Sequence, residues 1–294
     1  MRKILVLRGG ALGDFLVTLP ALALLRHRWP AAHLALVGNA TAAVLALDSG
    51  LLDRVHSQHE ARWAALFDDA PLPPDFAAEL SSFDLVLNFW PDPDHTLARH
   101  FHGLAVPTFL TSSALPTLAP AAAHFCEPLR ALGLTPATFH HSLAPPTPAA
   151  RLIAIHPGSG SPQKNWPLSR WTELCTWLTR EHCAELLIIT GEVDTAAATV
   201  LASFGTPAHQ RPLRELVRLL AHCRFFLGHD SGISHLAAAC GVPSLLLFGP
   251  TDPALWAPPA PHVHVLKRGP TLASISLADV EAALRPLLLP PAKK

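Results

Sequence analysis

Residues 228–243 read GHDSGISHLAAACGVP, and this stretch decides the fold because it carries a hydrophobic strand into the amino end of a short helix through small residues. The pattern predicts a strand over 224–227, a turn over 228–232 and a helix over 233–240. Gly241 and Pro243 stop that helix before a second apolar strand over 244–248. Unpaired amides at a helix start, together with the helix dipole, favour phosphate or another anion, and Ser231 and Gly232 leave room for close approach. The plainer alternative is that Asp230 or Ser231 only caps the helix. A second glycine-containing turn, LRGGALGDFLVTLP over 7–20, stands near the other end of the chain. Two such turns in separate halves imply a cleft between them.

Outward from these turns the same alternation repeats. The first half predicts strands over 3–7, 33–37 and 85–89 with helices over 15–28 and 40–47, and strands alternating with helices imply a mainly parallel sheet covered on both faces. Residues 142–150, SLAPPTPAA, are proline-rich and aperiodic, as a stiff linker would be, which puts the domains at 1–145 and 146–294. The pattern then restarts with strands over 152–155 and 185–190 and helices over 168–180, 194–203 and 213–222. The last helix, over 277–288, is apolar enough to pack on either domain, and the PPAKK end, residues 290–294, is expected to fray.

Composition narrows the function. With 294 residues, 50% of them hydrophobic, the chain can bury a large core, while a formal net charge of zero and no dense Lys/Arg cluster argue against nucleic acid as a partner. No run approaches the roughly 18 apolar residues of a spanning helix. Five cysteines with no CxxC pair fit a reducing cytoplasm, and the positive mean hydropathy leaves peripheral membrane contact open. Eighteen histidines invite a metal, but no HExxH is present and the pairs His140–His141 and His262–His264 lack acidic or thiol partners.

Several residues could carry chemistry. Asp14 follows Gly13 at the carboxyl end of the first strand, where ligands meet open parallel sheets, and it can both cap the next helix and act as a general base. The loop HPGSGSPQKNWP, residues 156–167, offers Ser159 and Lys164 for phosphate recognition, although GxxxxGK[ST] is absent. Lysine is scarce, limited to Lys3, Lys164, Lys267, Lys293 and Lys294, which favours a function for Lys164 in neutralising a departing diphosphate. Glu192 follows a strand end and could accept ribose hydroxyls, with an exposed loop acid as the alternative. Asp92-Pro93-Asp94 has the spacing of metal-dependent sugar transferases, yet Pro91 and Pro93 read as a turn. A nicotinamide site finds little support: Arg8 stands where the first fingerprint glycine belongs and Asp53 lies too far along for a ribose.

Three motifs in order, ILVLRGGALGDFLVTLPAL, HPGSGSPQKNWP and FLGHDSGISHLAAACGVPSLLLFGPTDPALW, resemble glycosyltransferase family 9, the group of ADP-heptose:lipopolysaccharide heptosyltransferases. The resemblance covers 3–25 and 153–256. It implies a GT-B fold, α/β with two Rossmann-like parallel-sheet domains facing across a cleft: an acceptor-side amino-terminal domain and a carboxy-terminal domain that binds the nucleotide-sugar donor. It implies inverting, metal-independent transfer of a sugar, a heptose first of all, from a nucleotide diphosphate donor such as ADP-heptose to a lipopolysaccharide-core or related glycan, with no cofactor. By motif position Gly13 and Asp14 lie on the acceptor side, Asp14 as general base. Ser159, Lys164, Glu192, Asp230, Ser231, Gly232 and His235 form the donor side, with Lys164 also catalytic through the leaving diphosphate. His235 reads equally well as a core histidine. The region 53–150 falls outside the resemblance and lacks the basic patch expected for a phosphorylated core. The competing readings are a nucleotide-sugar epimerase or hydrolase on the same architecture and a non-catalytic nucleotide-sugar-binding protein.

Overall fold

The computed structural model describes residues 1–149 and 151–288; the PPAKK end lies outside the described residues. The chain divides into two units, Met1–His141 and Ser142–Lys294.

In the first unit, β1 (Lys3–Arg8), β2 (His33–Gly38), β3 (Arg54–Ser57), β4 (Leu85–Asn88) and β5 (Thr108–Thr111) form an all-parallel sheet in the order β3-β2-β1-β4-β5. β1 and β4 lie inside the sheet and read as unbroken apolar runs because both of their faces are covered. The chain runs from β1 outward to β3, then returns to place β4 on the other side of β1, so the order reverses between β1 and β4. Helices α1 (Leu12–Leu16), α2 (Leu19–Arg28), α3 (Ala40–Asp48), α4 (Pro74–Ser81) and α5 (Thr96–Gly103) connect the strands, and α6 (Ala121–Cys126) follows β5. One core cluster joins Leu5, Leu7, Val37 and Val86 to Trp63, Phe76, Trp90 and Phe101.

The helix expected over 15–28 is two helices. Pro20 has no amide to donate to Leu16, and its ring crowds that carbonyl. The chain breaks there, with the buried Thr18 hydroxyl donating to the Phe15 carbonyl at 2.5 Å and the Thr18 carbonyl accepting from Ala21 and Leu22 as the start of α2. The break also fixes α1 as a single turn, and Asp14 is its third residue rather than its cap.

In the second unit β6 (Leu152–Ile155), β7 (Glu185–Thr190), β8 (Thr206–His209), β9 (Phe225–His229), β10 (Ser244–Phe248) and β11 (Val263–Lys267) form a second parallel sheet, ordered β11-β10-β9-β6-β7-β8. Here the order reverses between β6 and β9. The helices are α7 (Leu168–Glu181), α8 (Thr195–Leu201), α9 (Leu213–Ala221), α10 (Gly232–Ala239), α11 (Pro253–Trp256) and α12 (Leu277–Leu288). The last of these contributes Val280, Leu284 and Leu288 to the core that holds Trp166, Trp171 and Leu227, so it packs on the second unit.

The proline-rich stretch is fastened to that unit rather than spanning free. Leu143 donates to the Ala239 carbonyl, Thr147 to Ala221 and Ala149 to His222, at 2.7, 2.8 and 2.7 Å. These bonds cap the carboxyl ends of α10 and α9, and the division between units therefore falls at 141/142, before the prolines.

Candidate functional site

The second-unit site is assembled at the carboxyl ends of β6 and β9. The loop 156–167 leaves β6 and is gripped by two buried histidines. His156 donates Nδ1–H to the Ile189 carbonyl of β7 at 2.9 Å. His229, the last residue of β9, accepts the Trp166 amide on Nε2 at 3.0 Å and donates from Nδ1 to the Gly158 carbonyl at 3.4 Å. One imidazole thus ties both ends of the loop, and it can do so only when neutral, since Nε2 must accept. Trp171 packs edge-on against the ring. Burial, then the neighbouring His156, pushes His229 down to about 3. Burial lowers His156 as well, opposed by its bond to Ile189 and by Asp194.

Within the loop the Ser159 hydroxyl lies 2.7 Å from both the Ser161 carbonyl and Asn165 Oδ1, and it accepts the Ser161 amide. This closes the turn on which Lys164 stands. Lys164 Nζ is 2.9 Å from Asp230 Oδ2, which also accepts the Thr251 hydroxyl at 2.8 Å. Asp230 is 9% exposed and Lys164 32%, so the carboxylate is sunk and the ammonium stands at the surface. Beside the pair, Ser231 caps α10: its hydroxyl accepts the Ser234 amide at 3.3 Å. The helix begins at Gly232, one residue earlier than the sequence pattern implies, and β9 runs on through His229. Ser231 thus answers the Ser234 amide, and the amides of Gly232 and Ile233 precede the first intrahelical bond. His235 is buried on the same first turn, its amide bonded to the Ser231 carbonyl.

Glu192 is exposed in the turn after β7, and the structure does not join it to the Lys164–Asp230 pair. The anchored acid there is Asp194, buried, which accepts the Gly191 amide at 2.8 Å. A Cβ on Gly158 would lie 2.1 Å from Asp194 Oδ1, so only glycine lets the loop pass this carboxylate. The sequence reading missed His156, His229, Asp194 and Thr251. The histidines flank the glycine turns directly, which was their only signal.

The first-unit site stands at the carboxyl ends of β1 and β4. Gly10 adopts a φ of 105°, and a Cβ there would sit 2.6 Å from Asp14 Cβ. Glycine thus lets the chain double back so that Asp14 Oδ2 accepts the Ala11 amide at 2.8 Å. Gly13 lies inside α1, its carbonyl accepting from Val17. Arg8, 4% exposed, donates to the Asp14 carbonyl at 3.0 Å and the Ala114 carbonyl at 3.2 Å. It also approaches Asp14 Oδ1 at 3.5 Å and lies 4.3 Å above the Phe125 ring. Burial lowers the Arg8 pKa while the Asp14 charge raises it. The residue that spoils a dinucleotide fingerprint is therefore the one that holds Asp14.

The Asp92 carboxylate accepts the Leu97 and Ala98 amides at 2.9 and 3.0 Å, capping α5, as the turn reading implies. Among the described residues no three His, Cys, Asp or Glu side chains gather as a metal site would require. Burial pushes the thiols of Cys126, Cys175, Cys223 and Cys240 up to about 12, and Cys183 is the exposed one.

Two parallel-sheet α/β units, each with its site where strand order reverses, make this a GT-B protein, and solved structures of that class superpose on nearly all of it. A glycosyl transferase family 9 structure from Veillonella parvula DSM 2008 matches with a TM-score of 0.79 at 21% identity, over 98% of this chain and 97% of that one. The E. coli heptosyltransferase WaaC with ADP matches with a TM-score of 0.75 at 20% identity, over 97% and 99%. The family model described as glycosyltransferase family 9 (heptosyltransferase) matches residues 127–278, over half of the chain, and the chain belongs to that family. Lipopolysaccharide heptosyltransferase 2 of Salmonella typhimurium is 31% identical over 120 residues, 38% of this chain and 34% of that protein. The chain thus aligns with about a third of the curated relative's length. No helix among the described residues is long and apolar enough to cross a membrane.

The neutral histidine sets an acid limit. Folded His229 titrates at about 3, whereas an unfolded histidine titrates at about 6.5. The unfolded chain therefore binds the extra proton first as pH falls. The stability due to burying neutral His229 is whole above about 6.5 and drains away towards 3, by roughly 2 kcal/mol between pH 7 and pH 5. Denaturant unfolding at the two pH values should show this loss. A His229→Gln variant should be less stable at pH 7 and less acid-sensitive; an unchanged acid slope would remove His229 as the cause.

Proposed function

We propose that the protein is an inverting glycosyltransferase that moves a sugar, a heptose, from a nucleotide diphosphate donor, ADP-heptose, to a glycan of the lipopolysaccharide-core type. The observation that carries this reading is the Lys164–Asp230 pair, 2.9 Å apart, beside the open amino end of α10. A cation and the amino end of a helix converge there, and both favour a leaving diphosphate. The names of the relatives supply the heptose and the acceptor type, and the complex of one structural neighbour with ADP supplies the nucleotide.

In the proposed reaction the second unit holds the donor and the first unit the acceptor. Asp14, half exposed and fixed by the Ala11 amide and Arg8, takes the proton of the acceptor hydroxyl. The freed oxygen forms a bond to the anomeric carbon as the bond from that carbon to the diphosphate oxygen breaks, on the opposite face. The electron pair leaves with the diphosphate, and Lys164 and the first amides of α10 stabilise its growing charge. Asp230 and Thr251 aim the ammonium. Ser159 shapes the loop, His235 and Gly232 shape the helix start, and Glu192 accepts the ribose hydroxyls. A lipid-carried acceptor would bring the protein into peripheral contact with the cytoplasmic face of the inner membrane.

The reading is tested by calorimetry across ADP-, GDP-, UDP- and CDP-sugars, followed by product analysis with and without acceptor. Failure to bind any of them would end it, and turnover without an acceptor would point to an epimerase or hydrolase.

Asp14→Asn keeps an oxygen for the Ala11 amide but is a far weaker proton acceptor. Nucleotide affinity should hold while turnover falls by roughly two to four orders of magnitude. Turnover near wild type would remove Asp14 from the mechanism.

Lys164→Ala should lower kcat more than donor affinity, because charge accumulates on the diphosphate only as the glycosidic bond breaks. Affinity lost with kcat preserved would reduce Lys164 to a docking residue.

Exhaustive chelation should leave activity intact, since the helix terminus and Lys164 occupy the role that a divalent ion fills elsewhere. Activity lost in EDTA and restored by magnesium or manganese would overturn this.

A further inference from the structure

Two lysines of the second unit meet at one residue, Thr251, in the turn after β10. The Thr251 hydroxyl donates to Asp230 Oδ2, the same oxygen that accepts Lys164 Nζ. The Thr251 carbonyl accepts Lys267 Nζ at 2.8 Å. Lys267 is the last residue of β11 and lies opposite Phe248, the last residue of β10, in the parallel register. It therefore stands at the carboxyl edge of the sheet, as the Lys164 loop and the start of α10 do. The turn between the two lysines is tightly placed. A Cβ on Gly249 would lie 2.8 Å from the Leu272 amide nitrogen, so only glycine lets this turn pass the segment that follows β11. Trp166 Nε1 donates to the Ile275 carbonyl at 2.9 Å and Arg170 joins it there, which ties that segment to the Lys164 loop.

Lys164 alone gives the site no net charge. At 2.9 Å from Asp230 it is half of a neutral pair, and such a pair attracts an anion only at close range, as a dipole does. The other charged groups of the surrounding segments are engaged elsewhere. Arg268 pairs with Asp279 at 2.9 Å, Arg170 clamps the Ala273 and Ile275 carbonyls, and the Asp252 carboxylate caps the Ala254 amide at 3.0 Å. Lys267 differs from all of them. It is exposed, its bond is to a carbonyl, and no carboxylate among the described residues pairs with it. A carbonyl occupies one ammonium proton, leaving the charge whole and the other N–H groups for a ligand.

We infer that Lys267 is the second cation of the donor site, binding the diphosphate alongside Lys164 and supplying the net positive charge that the Lys164–Asp230 pair lacks. The inference rests on the glycosyltransferase reading and adds a binding residue to it. Lys267 acts already on the bound donor, whereas Lys164, tethered to Asp230, acts chiefly as charge grows on the leaving group.

The test is calorimetry on the full chain with ADP and with adenosine, using two variants at this exposed position. Lys267→Gln keeps an N–H for the Thr251 carbonyl but drops the charge, and Lys267→Arg keeps both. The ADP dissociation constant should rise about tenfold in Lys267→Gln and stay within about twofold of wild type in Lys267→Arg, while adenosine binds all three proteins alike. Added KCl should weaken ADP binding less steeply in Lys267→Gln than in wild type, because one charge fewer remains to be screened. An unchanged salt dependence, or ADP bound as tightly by Lys267→Gln as by wild type, overturns the inference while leaving the transferase reading standing. Absence of any nucleotide-sugar binding to wild type would instead defeat the transferase reading. Inorganic pyrophosphate then still decides the site: it must bind wild type and weaken in Lys267→Gln, and failure of either overturns the inference as well.

Discussion

Both candidate sites depend on the reversal of strand order beside the first strand of each sheet. In a parallel sheet successive crossovers on one side send their loops the same way, but where the order turns back, two neighbouring strands send their loops apart and leave a crevice above their carboxyl ends. The crevice beside β1 and β4 receives Asp14; the one beside β6 and β9 receives the Lys164 loop and the start of α10. No side chain has to be unusual for a ligand site to form at these points. Topology supplies the opening, and local chemistry decides what enters.

That local chemistry rests on buried polar groups facing outward loops. His229 joins Trp166 to Gly158, Asp194 holds Gly191, and Asn88 clasps Trp90. Each satisfies backbone groups that a glycine- or proline-rich loop could not pair within itself. Rigidity at the ligand edge therefore comes from the sheet below, and its cost is the requirement that the imidazoles stay neutral.

The sequence carried the central strands because their apolar runs are long and bounded, and it carried the two ligand turns because glycine and serine mark them. It did not carry β3 (RVHS), β5 (TFLT), β8 (TPAH) and β11 (VHVLK). These are the edge strands, half covered and short, so their composition is mixed and gives no clear period. The apolar spacing over 15–28 is helical throughout, but Pro20 divides it, because its ring would clash with the Leu16 carbonyl. Asp14, Lys164 and Asp230 were legible as candidates. That Lys164 meets Asp230, or that Arg8 meets Asp14, was not, because pairs 66 and 6 residues apart leave no periodic trace. The region 53–150 was the least legible, and it holds the cluster at Trp90, where Phe67 stacks on the indole and Asn88 holds the backbone.

The distribution of cations between the units matters more than their number. The chain carries 22 lysines and arginines against 22 carboxylates, and the cation at each candidate site is tied to an acid, Arg8 to Asp14 at 3.5 Å and Lys164 to Asp230 at 2.9 Å. What differs is which partner is sunk. Arg8 is 4% exposed under a 38% exposed Asp14, whereas Asp230 is 9% exposed under a 32% exposed Lys164. Under the proposed reaction the first site therefore presents a carboxylate to the acceptor hydroxyl and the second presents an ammonium to the diphosphate. The same kind of pair, buried with opposite sense, gives the two sites opposite chemistry.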